Sequence, residues 1–136
     1  MPSAFQGLRV VLVARFNRRY HRPGLNMADA LRRLGCEVTT VEERKRAWPP
    51  FAGPLPKRLE RVLRRKRPDA VLTYKGELLA PEVVEQLKPL APRWIHWFPD
   101  SPHVLDNALR LARPYDVRYV FDTWMVERYR ELGMAA

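Results

Sequence analysis

Asp100 and His103 stand three residues apart in "WIHWFPDSPH" (94–103), and both are side chains that accept or donate protons in group-transfer chemistry. Between them lie Ser101 and Pro102, the residue types of a helix N-cap and first turn. Asp100 therefore reads in two ways: as a general base at the mouth of a site, or as an extra cap on a helix start whose amides would also suit an anion. Metal binding has little support. His21, His96 and His103 are the only histidines, Cys36 is the only cysteine, and no ligand set has zinc spacing. The chain also lacks G-x-G-x-x-G, G-x-x-x-x-G-K-[ST] and G-x-S-x-G, so dinucleotide, P-loop and nucleophile-elbow chemistry are not expected. Neither a cofactor nor a metal is expected.

Such residues need a scaffold, and the chain alternates strand-like and helix-like segments five times. "LRVVLVARF" is a continuous aliphatic run of the kind that forms a strand buried on both faces. "LNMADALRRLG" has helical spacing and a closing Gly35. "CEVTTVE", "RPDAVLTY", "RWIHWF" and "YDVRYVF" supply four more strands. Helices lie between them, including one entered at Pro81 and a last one capped by Asp122 and ended by Gly133. Strands are predicted near 8–14, 37–42, 70–74, 93–98 and 117–121. The fold class is α/β: a doubly wound, Rossmann-like parallel sheet in the order 3-2-1-4-5 with helices on both faces, forming one domain over 1–136. That order puts the ligand edge between the first and fourth strands, at "RFNRRYHRPG" and "PDSPH". His96, inside the fourth strand, is then a buried core histidine distant from that mouth.

Charge is uneven along the chain. Residues 1–67 hold 17 Lys/Arg against 5 Asp/Glu, and the remainder holds 8 against 10, giving +10 overall. Arg44, Lys45, Arg46, Trp48, Lys57, Arg58, Arg61, Arg64 and Arg65 form a candidate patch for polyanions or an anionic membrane surface, with nucleic acid a weaker choice. The alternative is a solvated helix face. No apolar run approaches the length of a membrane span, and "MPSAFQGLRVVLVARF" lacks the pattern of a signal peptide. The lone Cys36 fits a reducing compartment, so the expected location is cytoplasmic, with the patch allowing peripheral membrane contact.

The order of several segments resembles the N-terminal half of a CgeB-like (spore maturation protein) glycosyltransferase of the GT-B fold. They are "LRVVLVARF", "MADALRRLGCEV", "RPDAVLTYKGELLAPEVVEQLK", "WIHWFPDSPH" and "YDVRYVFDTWMVERYRELG". The resemblance spans about residues 8–133 and rests on order and spacing. It implies an acceptor-side domain facing a second domain that grips a nucleotide-sugar, and therefore no turnover by these residues alone. It implies site roles for Arg15 and Asn17 after the first strand and for Lys75 and Gly76 after the third. It implies the same for Asp100, Ser101 and His103 after the fourth strand and for Asp122 and Thr123 after the fifth. Gly76 is expected to let a ligand approach the backbone. The competing class is a non-catalytic binding module using the basic face. A receiver-like signalling domain fits less well, because the loop after the first strand is basic rather than acidic.

Overall fold

A computed structural model describes residues 3–16, 22–44, 53–100 and 105–136. Five strands, β1 (Arg9–Ala14), β2 (Glu37–Glu42), β3 (Ala70–Tyr74), β4 (Trp94–Phe98) and β5 (Val117–Val120), lie within a residue of the predicted spans. Every neighbouring pair is parallel. The described helices are α1 (Pro23–Arg33), α2 (Leu55–Lys66), α3 (Pro81–Leu87), α4 (Leu105–Ala112) and α5 (Thr123–Glu131). The Rossmann-like α/β class is thus present. Among the described residues no helix is long and apolar enough to cross a membrane.

The strand order is β2-β1-β3-β4-β5, which corrects the expected 3-2-1-4-5. The reason is visible in the strands themselves. β2, "EVTTVE", is the most polar of the five and keeps most of its residues partly exposed, as an edge strand can. β3, "AVLTY", takes the interior place beside β1, with Val11 opposite Val71. The point where strand order reverses therefore falls between β1 and β3, not between β1 and β4. Ligand positions in open parallel sheets follow that reversal.

Helices divide unequally between the two faces. Val11, Val13, Val71 and Trp94 pack against Leu55, Leu59 and Leu63 of α2 and Val84 and Leu87 of α3. The three α2 leucines recur every fourth residue and form its buried stripe, each contributing about 1.5–3 kcal/mol. Phe98 packs on the same side, against Ala108 and Leu111 of α4 and Met125 and Tyr129 of α5. The opposite face carries α1, whose Ala28 covers Leu12 and Ala14. Gly35, at φ 97, stops α1 where a Cβ would meet the Gln6 side chain at 2.4 Å.

Among the described residues this face carries α1 alone and leaves the β4–β5 side more exposed. Trp97 is 41% exposed and Tyr119, its register partner, 56%. Their rings lie 6.0 Å apart.

Two arginines act as internal staples. Arg58, assigned above to the basic patch, is buried and donates hydrogen bonds to the carbonyls of Gly53, Glu42 and Arg44. This removes it from any polyanion surface. Its guanidinium fixes the chain after β2 to the start of α2, where backbone acceptors would otherwise lack partners. Arg118 does the same on β5, donating to Ala112, Arg113 and Ala135.

Candidate functional site

The turn after β3 is built from two successive left-handed residues, Lys75 at φ 64 and Gly76 at φ 74. An L residue with a long side chain rarely adopts that backbone, so the surroundings must hold it. They do so from three directions. The Lys75 N–H donates to the Trp97 carbonyl at 2.8 Å, extending the β3–β4 ladder by one bond. The Lys75 carbonyl lies 2.7 Å from His96 Nε2. Two residues along the turn from Gly76, the Leu78 N–H donates to Glu43 Oε1 at 2.7 Å.

The Lys75 carbonyl can only accept, so His96 Nε2 carries the proton and Nδ1 does not. Nδ1 is buried without a hydrogen-bond partner among the described residues. The ring stacks on Tyr115 at 4.6 Å between centroids. Burial, reinforced by the Arg118 charge and opposed by the Lys75 carbonyl, pushes the His96 pKa down to about 4. His96 is thus buried, as its strand position predicts, but it is not distant from the mouth. It is one hydrogen bond from a residue that lines it.

Above this support the Lys75 ammonium reaches Asp100 Oδ2 at 3.0 Å, and Arg15 faces Glu77 at 3.6 Å. Arg15, Pro23, Glu43, Tyr74, Lys75, Pro99 and Asp100 line a cleft of about 350 Å³ at the carboxyl edge of the sheet. Residues past the ends of β1, β2, β3 and β4 meet there, around the β1/β3 reversal. Glu43 is only 2% exposed. Burial raises its pKa, while the Leu78 N–H, the Arg15 charge and the Gly76 N–H pull it back. A smaller hollow of about 250 Å³, lined in part by Arg9, Glu37, Lys66 and Pro68, opens at the opposite edge.

The structure brings together Arg15, Lys75 and Asp100 from the sequence-based set. Asn17, Ser101 and His103 lie outside the described residues, as do Lys45, Arg46 and Trp48 of the patch. Asp122 is the N-cap of α5, its Oδ1 accepting from the Met125 N–H at 2.9 Å, and neither it nor Thr123 lines the cleft. Gly76 has a different duty from the one expected. A Cβ there would sit 2.7 Å from Thr73 Cγ2 and close to Tyr115 and His96, so the missing side chain makes room for the buried cluster beneath, not for a ligand above. The sequence reading missed Glu43, Glu77 and Tyr74. The signal for Glu43 was its place directly after a strand, at what becomes the carboxyl edge. Among the described residues no group of three or more His, Cys, Asp or Glu could hold a metal ion.

No family model matches the sequence, and no curated protein matches it. One solved structure that is similar is the ureidoglycine-glyoxylate aminotransferase of Bacillus subtilis. It shares 16% identity and a TM-score of 0.46 over 68% of this chain and 23% of that one. The chain thus spans less than a quarter of that enzyme's length, and a likeness of this grade carries no argument about activity.

Proposed function

We propose that this domain is the acceptor-binding half of a glycosyl-transfer enzyme, with the carboxyl-edge cleft receiving a polyhydroxylated acceptor. The observation that supports this reading is the pairing of charge among the described residues at the cleft: Lys75 is met by Asp100, and Arg15 by Glu77 just beside it. A phosphate site would present unpaired cations and free backbone amides. A cleft of paired, half-exposed charges instead offers alternating donors and acceptors, which suits vicinal hydroxyls.

Each residue then has a part. The Asp100 carboxylate takes the acceptor hydroxyl's proton as that oxygen bonds to the donor's anomeric carbon. The sugar–nucleotide bond breaks with its electron pair leaving on the nucleotide. Lys75 orients Asp100 through their ion pair. Glu43 and His96 hold the Lys75–Gly76 turn from below. The donor nucleotide would be gripped by a facing domain, so these 136 residues are expected to bind acceptor without catalysing transfer.

Calorimetric titration of the domain tests this. A panel of glycosides is expected to include a weak, saturable ligand that the Asp100→Asn variant loses. UDP- and GDP-sugars are expected not to bind in the low-micromolar range. Tight nucleotide-sugar binding, or glycoside binding indifferent to Asp100, contradicts the assignment.

A further inference from the structure

The outward side of α2 carries Lys57, Arg61, Arg64 and Arg65, at spacings of four, three and one, and all four are exposed. Lys66 and Arg67 continue the series past the last turn, both exposed. Glu60, which meets Arg64 at 3.0 Å, is the only acid within the helix. Arg61, Arg65, Lys66 and Arg67 make no ion pair among the described residues. From Lys57 to Arg65, about 12 Å along the axis, the helix carries a row of cations with little compensation.

Two observations narrow the partner. The apolar stripe of α2 is consumed by the core, with Leu55, Leu59 and Leu63 each at most 1% exposed. The helix therefore has no apolar face to lay into a bilayer, which an interfacial helix requires. Its exposed residues are all Lys or Arg, and a row of such cations on one helix face neutralises phosphates whatever the base sequence. Arg predominates, and its planar guanidinium suits phosphate oxygens. From these we infer that α2 is a docking surface for the sugar–phosphate backbone of a nucleic acid duplex, bound without sequence preference. This surface does not depend on the glycosyl-transfer reading, since none of its residues lines the cleft.

Fluorescence anisotropy with labelled DNA duplexes of two unrelated sequences tests the inference. Binding is expected at about 50 mM salt and is expected to weaken about 100-fold by about 200 mM, as displacement of counterions at roughly four phosphates requires. The two duplexes should agree within about twofold. The triple variant Lys57→Gln, Arg61→Gln, Arg65→Gln leaves the Glu60–Arg64 pair in place. It should melt with the wild type and lose about 100-fold in affinity at the lower salt. Lys75→Ala, in the cleft, should bind duplex normally. The inference is overturned by absent binding at low salt, by a triple variant that binds as the wild type does, or by a strong preference for one sequence. It is also overturned if phosphatidylserine vesicles are bound more tightly than the duplexes.

Discussion

His96 Nε2 donates to the Lys75 carbonyl at 2.7 Å, so a buried ring on β4 holds the backbone of a surface lysine on the neighbouring strand's loop. The lysine's own ammonium meets Asp100, two residues beyond the end of β4. A single strand thus fixes both partners of the ion pair, one through its interior and one through its end.

Burial of this ring, only partly offset by its bond to the Lys75 carbonyl, makes stability depend on pH. An unfolded histidine protonates near pH 6.5, whereas His96 in the fold does so near 4. The unfolded chain therefore takes up its proton first, and stability falls as pH drops through the window from 6.5 to 4. The loss approaches about 3 kcal/mol. Denaturant melts at pH 7 and pH 4 should show it. His96→Gln keeps a donor for the Lys75 carbonyl, so it should lower stability at pH 7 by about 1–2 kcal/mol while flattening this part of the profile. An unflattened profile would assign the pH dependence elsewhere.

Glu43 acts in the opposite direction. Its folded pKa is raised above the unfolded value, chiefly by burial, so ionising it costs stability as pH rises through that raised value. Glu43→Gln preserves an acceptor for the Leu78 N–H and removes the buried charge. The variant should melt higher than wild type at pH 7, and the difference should vanish below pH 4, where both side chains are neutral. Equal melting temperatures at pH 7 would show that Arg15 and the two amides fully offset the burial.

At the turn itself, Gly76→Ala should destabilise by about 1–3 kcal/mol, because a Cβ combines a left-handed backbone with a 2.7 Å contact to Thr73. Lys75→Gly, one residue earlier, relieves the same kind of strain and should not destabilise through its backbone, while it removes the partner of Asp100. Urea melts of the two variants separate these effects. A destabilised Lys75→Gly with a tolerant Gly76→Ala would reverse the roles assigned here.

Arg58 and Arg61 are three residues apart and look alike in the sequence, yet only Arg58 is buried under three backbone carbonyls. Arg58→Ala should cost about 2–4 kcal/mol by leaving those acceptors unpaired, and Arg61→Ala should stay within about 0.5 kcal/mol. Similar melting for both would mean that Arg58 is dispensable to the fold.

Strand positions were legible because buried parallel strands announce themselves as aliphatic runs, and β1 and β4 do so plainly. Strand order was not read correctly, because either winding buries β1 on both sides. The deciding cue was the polarity of "EVTTVE", which marks an edge. Moving β3 next to β1 changed which loops meet at the mouth and brought Tyr74 and Glu43 into it. Arg58 was misread because a basic helix gives no local sign of which cation turns inward. The purpose of Gly76 depends on Thr73 of β3, His96 of β4 and Tyr115 from the loop before β5 converging, a relation that no short stretch of sequence contains. Asp122 was legible as a cap from its spacing before "TWM", and its capping role is the one that the structure displays.

The central claim, that the carboxyl-edge cleft receives a hydroxyl-bearing acceptor, is tested most directly by mapping glycoside binding on the 15N-labelled domain by NMR. Amide shifts are expected to concentrate at Arg15, Glu43, Lys75–Leu78 and Asp100, to saturate, and to disappear in Asp100→Asn while the rest of the spectrum is retained. Saturating shifts centred on α2 or on the Trp97–Tyr119 face, or no shifts at these cleft amides with any glycoside, would contradict it.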